Sequence, residues 1–511
     1  MKKLISLFLA MVFVMLVFTA CGPKTPVNPA PDWEQTHSLP VVKIGSAMED
    51  IHRTERHWTN VSVIGSELNP DGIDFFEFEN ANMQIRGRGQ SSWHAAVGNA
   101  PYSGKRPFRI RFANTHDTTR EQNDFIRPVL DSGFAAREWT FVPNQIDKTL
   151  MRNYSIYYLS RLLAADGLGI PFGTNARLVH VYMADTRRTV HHGDTLEVVN
   201  TEHFNGNWIY QGIYHMSDQL NQPQAERVNI ITNNNPEISE FLLEMCRHEL
   251  ARYRNPASRA ANPNYPHMRY PDDPWPRPHV IINENVSGEM PFMIEAGGRA
   301  DDHAQFPQTA AYVENFLQNV DAALRSRDLE RIKQWIDIPS FVDFYLVQEL
   351  ALNIDVNTSS VRFTIRGQGE HRRLFAGPLW DFDRSGGNVV NPALPEGGYS
   401  PIGEWMSFRN PWFANFIVVP ELREQTRERW DQIKDNQVKQ MLDRLDYMTT
   451  TYAHCFHRNF ERWQIFGMSV SPLPTVLWRE NDYFNIHSHR GQVDFLIDFL
   501  EQRIEWISEW L

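Results

Sequence analysis

Residues 374–387, LFAGPLWDFDRSGG, hold the side chains of this sequence best suited to chemistry. An apolar run leads straight into Asp381-Phe382-Asp383, followed by Arg384, Ser385 and two glycines. Carboxylates at i and i+2 on extended backbone point to opposite sides of a strand. Where the strand gives way to a turn, both can swing onto one hard cation. Such cations prefer oxygen ligands, and Mg²⁺ in phosphoryl-transfer sites takes one or two carboxylates plus substrate phosphates. Two solvated aspartates at a strand end fit the same residues, so the choice rests on the rest of the chain.

Three further clusters bear on it. In Arg86-Gly87-Arg88-Gly89-Gln90-Ser91-Ser92 the glycines let backbone N–H groups approach phosphate oxygens, and the hydroxyls and arginines add donors. No Gly-Lys-Ser/Thr ends it, so it is not a Walker A loop. Lys105, Arg106, Arg109, Lys148 and Arg152 form a basic group on an expected strand and at an expected helix N-terminus, where an anion is stabilised. Lys105 is the residue expected to pair with phosphates, because a flexible point charge suits that task. Asp355 and Asp381 each end an expected apolar element. One carboxylate that accepts a hydroxyl proton and another that holds metal are the acidic parts of a phosphoryl transferase. His-Arg-Asp is absent and Asp-Phe-Asp stands where Asp-Phe-Gly would be, which excludes a conventional protein kinase.

These residues need elements to position them, and 511 residues at 42% hydrophobic content, with 15 Trp and 31 Phe, suffice for a large core. Net charge is −12, so no global basic field points to nucleic acid. Met1-Lys2-Lys3, the apolar run from Leu4 to Phe18 and the small residues before Cys21 read as an export signal. The expectation is a lipoprotein signal over 1–21, lipid on Cys21, and a Pro-rich tether over 22–40. That makes the chain exported and membrane-anchored, on the periplasmic or outer surface. Cys246 and Cys455 allow at most one disulfide, and Cys246 is expected to pack as a small hydrophobe in a helix over 239–253. Histidine and cysteine show no zinc spacing, and His191-His192 reads as a surface loop.

Along the chain the fold class reads as α+β, a β-rich half followed by a mainly helical half. Residues 41–232 form the first, with alternation in Phe108, Ile110 and Phe112 and a helix over 147–165 capped by Asp147. Residues 233–308, rich in Asn and Pro, read as an insertion, and 309–511 as the helical half carrying Asp355 and Asp381.

In order, these blocks resemble the spore coat protein H (CotH) kinase family, an atypical, secretory-type group. RGRGQSSW (86–93) resembles its Arg-Gly-x-Ser-Ser-Trp block, and KRPFRIRF (105–112) its Lys-x-Pro-Tyr-Arg-Ile-x-Phe block. DKTLMRN (147–153) is similar to its Asp-Lys-Thr-x-x-Arg-Asn helix start, and NGNWIYQGIYHMSDQL (205–220) to its Asn-Gly-x-Tyr-x-Gly-x-Tyr strand. NID (353–355) and GPLWDFDRSGG (377–387) resemble its catalytic and metal blocks. The resemblance spans about residues 60–390. It implies a two-lobed, atypical protein-kinase-like fold and Mg²⁺- or Mn²⁺-dependent transfer of the ATP γ-phosphate to Ser or Thr of a surface protein. Asp355 would be the base, with Asp381 and Asp383 on the metal. Arg86, Ser91, Ser92 and Lys105 would line the phosphates, with Arg109, Lys148 and Arg152 beside them.

Two departures stand out. Read from Arg86, Arg88-Gly89-Gln90 intervene between glycine and the two serines, where the family has one residue. Ser359-Ser360 stand where the family has an Asn beyond the catalytic Asp. Other readings use the same residues: a glycosyltransferase holding a sugar-nucleotide metal through Asp381-x-Asp383, or a non-catalytic surface module whose aromatics over 265–278 contact glycan or a partner. The first lacks the doubly wound β-α-β series it would need upstream.

Overall fold

The structure, a computed structural model, describes residues 39–53, 55–65, 78–89, 92–93, 96, 104–112, 127–128, 135–136, 138–175, 177–185, 189–192, 195–198, 208–220, 228, 230–246, 279–282, 290–297, 306–357, 359–388, 402–468 and 485–511. Strands β1 (Val41–Ile44), β2 (His57–Ile64), β3 (Phe78–Gly87) and β4 (Phe108–Phe112) come first. The short pair β5 (Arg127–Pro128) and β6 (Ala135–Ala136) precedes β7 (Glu138–Val142) and helix α1 (Arg152–Asp166). After β8 (Arg177–Ala184), the hairpin β9 (Thr189–His192) and β10 (Thr195–Val198) leads to β11 (Trp208–Asp218).

Seven of these strands close a barrel in the order β1-β2-β3-β4-β7-β11-β8, sealed by parallel pairing of β1 with β8. Strand alternation builds its interior. Phe108, Ile110 and Phe112 of β4 point inward with Met83, Ile85, Trp139, Phe141, Tyr214 and Met216, while Arg109 and Arg111 face out. The β-rich half was expected from alternation; its closure into a barrel was not. His191 and His192, expected in a loop, lie in the β9–β10 hairpin.

A second sheet, β13-β14-β12-β15-β16, joins β12 (Phe241–Met245), β13 (His279–Ile282) and β14 (Met290–Ala296) to β15 (Val361–Arg366) and β16 (Arg373–Ala376). Part of the expected 239–253 helix is thus strand β12, hydrogen-bonded on both sides by β14 and β15. A short apolar run such as FLLEM suits a buried strand as well as a helix, and two waiting neighbours decide it. Segment 233–308 therefore supplies three strands to a sheet it shares with residues 361–376. Cys246, just past β12, and Cys455 are both buried.

The helices of this half are α2 (Phe306–Ser326), α3 (Leu329–Ile332), α4 (Ile338–Ala351), α5 (Pro411–Ile417), α6 (Pro420–Ile433), α7 (Lys439–Thr451), α8 (Ala453–Arg462) and α9 (His489–Trp510), with α2 and α4 against the sheet. Asp337 caps α4 by accepting the Ser340 N–H at 2.9 Å, and every residue of α4 but Pro339 is buried. The helical run from α6 to α8 is broken by a π turn at Lys434–Val438 and again at Tyr452. Barrel and helical half meet where α8 packs on a bulge of β11. There Asn459 Oδ1 accepts the Ile213 N–H at 2.9 Å, and the left-handed Gly212 leaves no room for a side chain, since a Cβ would lie 2.5 Å from that oxygen. Among the described residues no helix is long and apolar enough to cross a membrane; the expected signal and Cys21 lie outside them.

The barrel core sets the position of every outward residue on these strands. Phe108 is fully buried and stacks on Phe141 at 4.6 Å. Phe108→Ala is expected to cost about 3–5 kcal/mol, read by urea denaturation, while Leu168→Ala, at a residue 61% exposed, should stay within about 0.5 kcal/mol.

Candidate active site

The acidic stretch follows β16 as a loop whose backbone is held at almost every position. Asp381 has a left-handed backbone, φ +67, a conformation that Asp tolerates better than most residues. Its N–H donates to the Tyr157 hydroxyl at 3.0 Å, and its Oδ2 accepts from the Ser360 hydroxyl at 2.8 Å. The Phe382 N–H donates to Asn153 Oδ1 at 2.7 Å while its ring is fully buried. Asn388 Nδ2 donates to the Asp383 and Ile146 carbonyls, at 2.7 and 3.0 Å. Buried Phe382 thus anchors the turn between two aspartates that are partly buried.

The clamp on this loop is α1 and the turn before it. Asp147 is fully buried and accepts from the Thr149 N–H, the Thr149 hydroxyl and the Arg152 N–H. It also pairs with the Arg152 guanidinium at 2.6 Å. Arg152 reaches on to the carbonyls of Ser385, at 2.9 Å, and Gly386, at 3.0 Å. Arg152 was expected beside phosphates, but its side chain has no exposure and braces the acidic loop instead. His489 of α9 supports the same turn through a 2.8 Å contact with the Thr149 carbonyl.

Asp355 sits on a single 3-10 turn, Ile354–Asn357, with its N–H on Asn353 Oδ1 at 3.1 Å and its carboxylate 3.6 Å from Arg384. Burial pushes the Asp383 carboxyl well above its ordinary range, and the negative charges of Asp381, Asp355 and Asp147 push the same way. The expected acidic residues are therefore electrostatic neighbours, with Arg384 opposing them. This surplus negative charge fits a hard cation. Among the described residues no three His, Cys, Asp or Glu side chains converge to hold a metal unaided. The set suits Mg²⁺ or Mn²⁺, which complete their shells with phosphate and water.

Expected cationic residues end up in different places. Lys105 is buried, its Nζ donating to the Pro143 carbonyl at 2.9 Å and to Asn459 Oδ1 at 3.3 Å, with the Tyr214 ring 5.2 Å away. It is not brought to the carboxylates; it ties the barrel to α8, and burial pushes its pKa down to about 7. Lys148 is buried beside Asp147, and burial lowers it to about 8. Arg106 donates to the Glu49 and Ile51 carbonyls, each at 2.9 Å.

Arg86 and Arg109 are cross-strand partners on the outer barrel face, continued by Thr140 and Ser217. Arg109 also pairs with Glu138 at 3.4 Å, as do Arg56 and Arg111 at 3.0 and 3.5 Å. Burial pushes the Glu138 carboxyl up, but Arg109, Arg56 and Arg111 outweigh it and hold it below its ordinary range. His215, on the same face of β11 as Ser217, packs 5.0 Å from the Tyr157 ring. Since Tyr157 holds Asp381, this face of the barrel leads to the acidic loop.

Sequence reasoning missed Arg88, whose guanidinium lies 5.7 Å from the Trp380 ring, next to Asp381. The signal was present: Arg88-Gly89-Gln90-Ser91-Ser92-Trp93 meets the one-residue spacing without a gap when read from Arg88. Trp93 fills the barrel end against Gly87, where a Cβ would lie 2.2 Å from its ring. Ser91 and the aromatics at 265–278 lie outside the described residues. The described strands form an antiparallel sheet and an almost wholly antiparallel barrel, not the doubly wound sheet a sugar-nucleotide enzyme needs.

Arg152→Met, which leaves Asp147 buried and unpaired, is expected to cost about 3–5 kcal/mol in urea denaturation and to speed hydrogen exchange at the Asp381 and Phe382 amides. For Lys105, the folded chain releases its proton near pH 7 and the unfolded chain near 10.5. Between these values the unfolded state binds more protons, so this group's contribution to stability rises with pH. The stability difference of Lys105→Met, variant minus wild type, should therefore fall between pH 6 and pH 9.

No curated protein matches the chain. Residues 297–507 match the family model described as CotH kinase protein, a stretch that holds Asp355, Asp381, Asp383, helices α2 to α8 and most of α9, while α1 and the barrel precede it.

Proposed function

We propose that this chain is an exported CotH-like kinase that transfers the ATP γ-phosphate to a Ser or Thr hydroxyl of a surface protein. One observation carries it: Asp381 and Asp383 lie on a loop that α1 holds from outside the matched stretch, and Asp355, on its own turn, faces Arg384 of that loop at 3.6 Å. Asp381 and Asp383 would hold Mg²⁺ or Mn²⁺, which when bound supplies positive charge to the phosphate chain. Ser360 and Tyr157 fix Asp381 through its Oδ2 and its N–H, so its free carboxylate oxygen has a set direction. Asp355 is the base. Its carboxylate accepts the proton as the acceptor oxygen bonds to phosphorus and the bond to the leaving ADP oxygen breaks. Arg384, one-third exposed and 3.6 Å away, sets a positive charge beside the Asp355 carboxylate. The export signal and a lipid on Cys21 would tether the protein to the membrane; its acidic balance disfavours nucleic acid as a partner.

Isothermal titration calorimetry with ATP and either Mg²⁺ or Mn²⁺ tests the reading. Metal-dependent binding is expected, weakened at least about tenfold in Asp381→Asn. Asp355→Asn should keep ATP binding and lose about 10²–10⁴-fold in transfer. A wild-type chain that binds no ATP with either ion would sink it.

A further inference from the structure

Arg362 is the basic residue nearest the acidic loop that the site so far leaves without a task. It lies on β15, and its carbonyl accepts the Gly377 N–H at 2.9 Å just before the loop begins. Its guanidinium rests 4.9 Å from the Trp380 ring, beside Asp381, and only 9% of the residue is exposed. Nε is buried and, among the described residues, has no hydrogen-bond partner. Among the described residues its one carboxylate is Glu244, at 3.6 Å, too far for a hydrogen bond.

A buried cation is costly unless paired and hydrogen-bonded. Two other buried arginines meet that demand: Arg152 donates to Asp147 and two carbonyls, and Arg503 to the Glu349 carboxylate and carbonyl. Arg362 does not, although its planar fork is suited to bidentate oxyanions. Arg88 reaches the same indole from the barrel side, so two guanidinium groups border one ring next to the metal aspartates. In protein kinases a second divalent ion, held by an Asn, adds charge at this point. Here Ser360 is engaged with Asp381.

We propose that Arg362, seconded by Arg88, forms an anion site for the phosphate chain of the nucleotide, supplying by guanidinium the charge that a second metal ion supplies elsewhere. This rests on the nucleotide reading above. The ligand chemistry is a phosphate oxyanion, whether on ATP or free.

The test is calorimetry on the full chain with MgATP, adenosine and tripolyphosphate, comparing wild type with Arg362→Gln, Arg362→Lys and Glu244→Gln. Arg362→Gln should weaken MgATP and tripolyphosphate about ten- to hundredfold, the size of a lost hydrogen bond to a charged group, with adenosine changed less than about twofold. Arg362→Lys should fall between wild type and Arg362→Gln, and Glu244→Gln should not weaken MgATP. Manganese titration by electron paramagnetic resonance should count one ion per nucleotide. Equal losses for MgATP and adenosine, unchanged MgATP in Arg362→Gln, or the same loss in Glu244→Gln would overturn the site and leave the kinase reading standing. Tripolyphosphate binding without MgATP binding would keep the site and sink the kinase reading; binding of neither overturns both.

Discussion

Everything near the acidic loop depends on one buried ion pair, Asp147 with Arg152 at 2.6 Å. A buried guanidinium must place its donors, and Asp147 absorbs only part of them. The others reach the carbonyls of Ser385 and Gly386, 233 and 234 positions away. Asn153 and Tyr157, next on α1, hold the N–H groups of Phe382 and Asp381. A helix from the barrel half therefore sets the backbone of a loop in the helical half, and the carboxylates inherit that geometry.

The electrostatic pattern follows from this clamp. Asp383 lies beside Asp381, Asp355 and Asp147, and burial first, then these negative charges, pushes its carboxyl well above the ordinary range. The cations divide by burial rather than by sequence position. Arg109 is neutralised at Glu138, Lys105 is stripped of water at the α8 interface, and Arg88 and Arg362 come to the Trp380 ring. A long-stemmed lysine can be drawn into a gap between elements and lose its charge there, whereas guanidinium groups keep theirs against an aromatic face.

The acidic half of the candidate site was legible as a position in the fold, because each Asp ends an apolar run, and such ends lie where strands and helices stop. The cationic half was not. Lys105 and Arg109 sit on a strand whose alternation says which side faces out, but not what covers that side. Arg362 left no trace in the pattern, being one basic residue in a buried strand. Phe241 to Met245 reads equally as helix or strand until β14 and β15 pair with it.

What the sequence determined by itself is local. Alternation made Phe108, Ile110 and Phe112 one face of a strand, Asp337 began a buried helix, and Phe382 between two aspartates anchored a turn, because each depends on neighbours within a few residues. Only the tertiary structure decided that seven strands close a barrel and that Arg152 braces a loop more than 200 positions away. It also decided that Arg362 lies against the ring of Trp380, the residue before Asp381, while Lys105 is drawn to Asn459, since the partner of a buried charge is set by the elements that close over it.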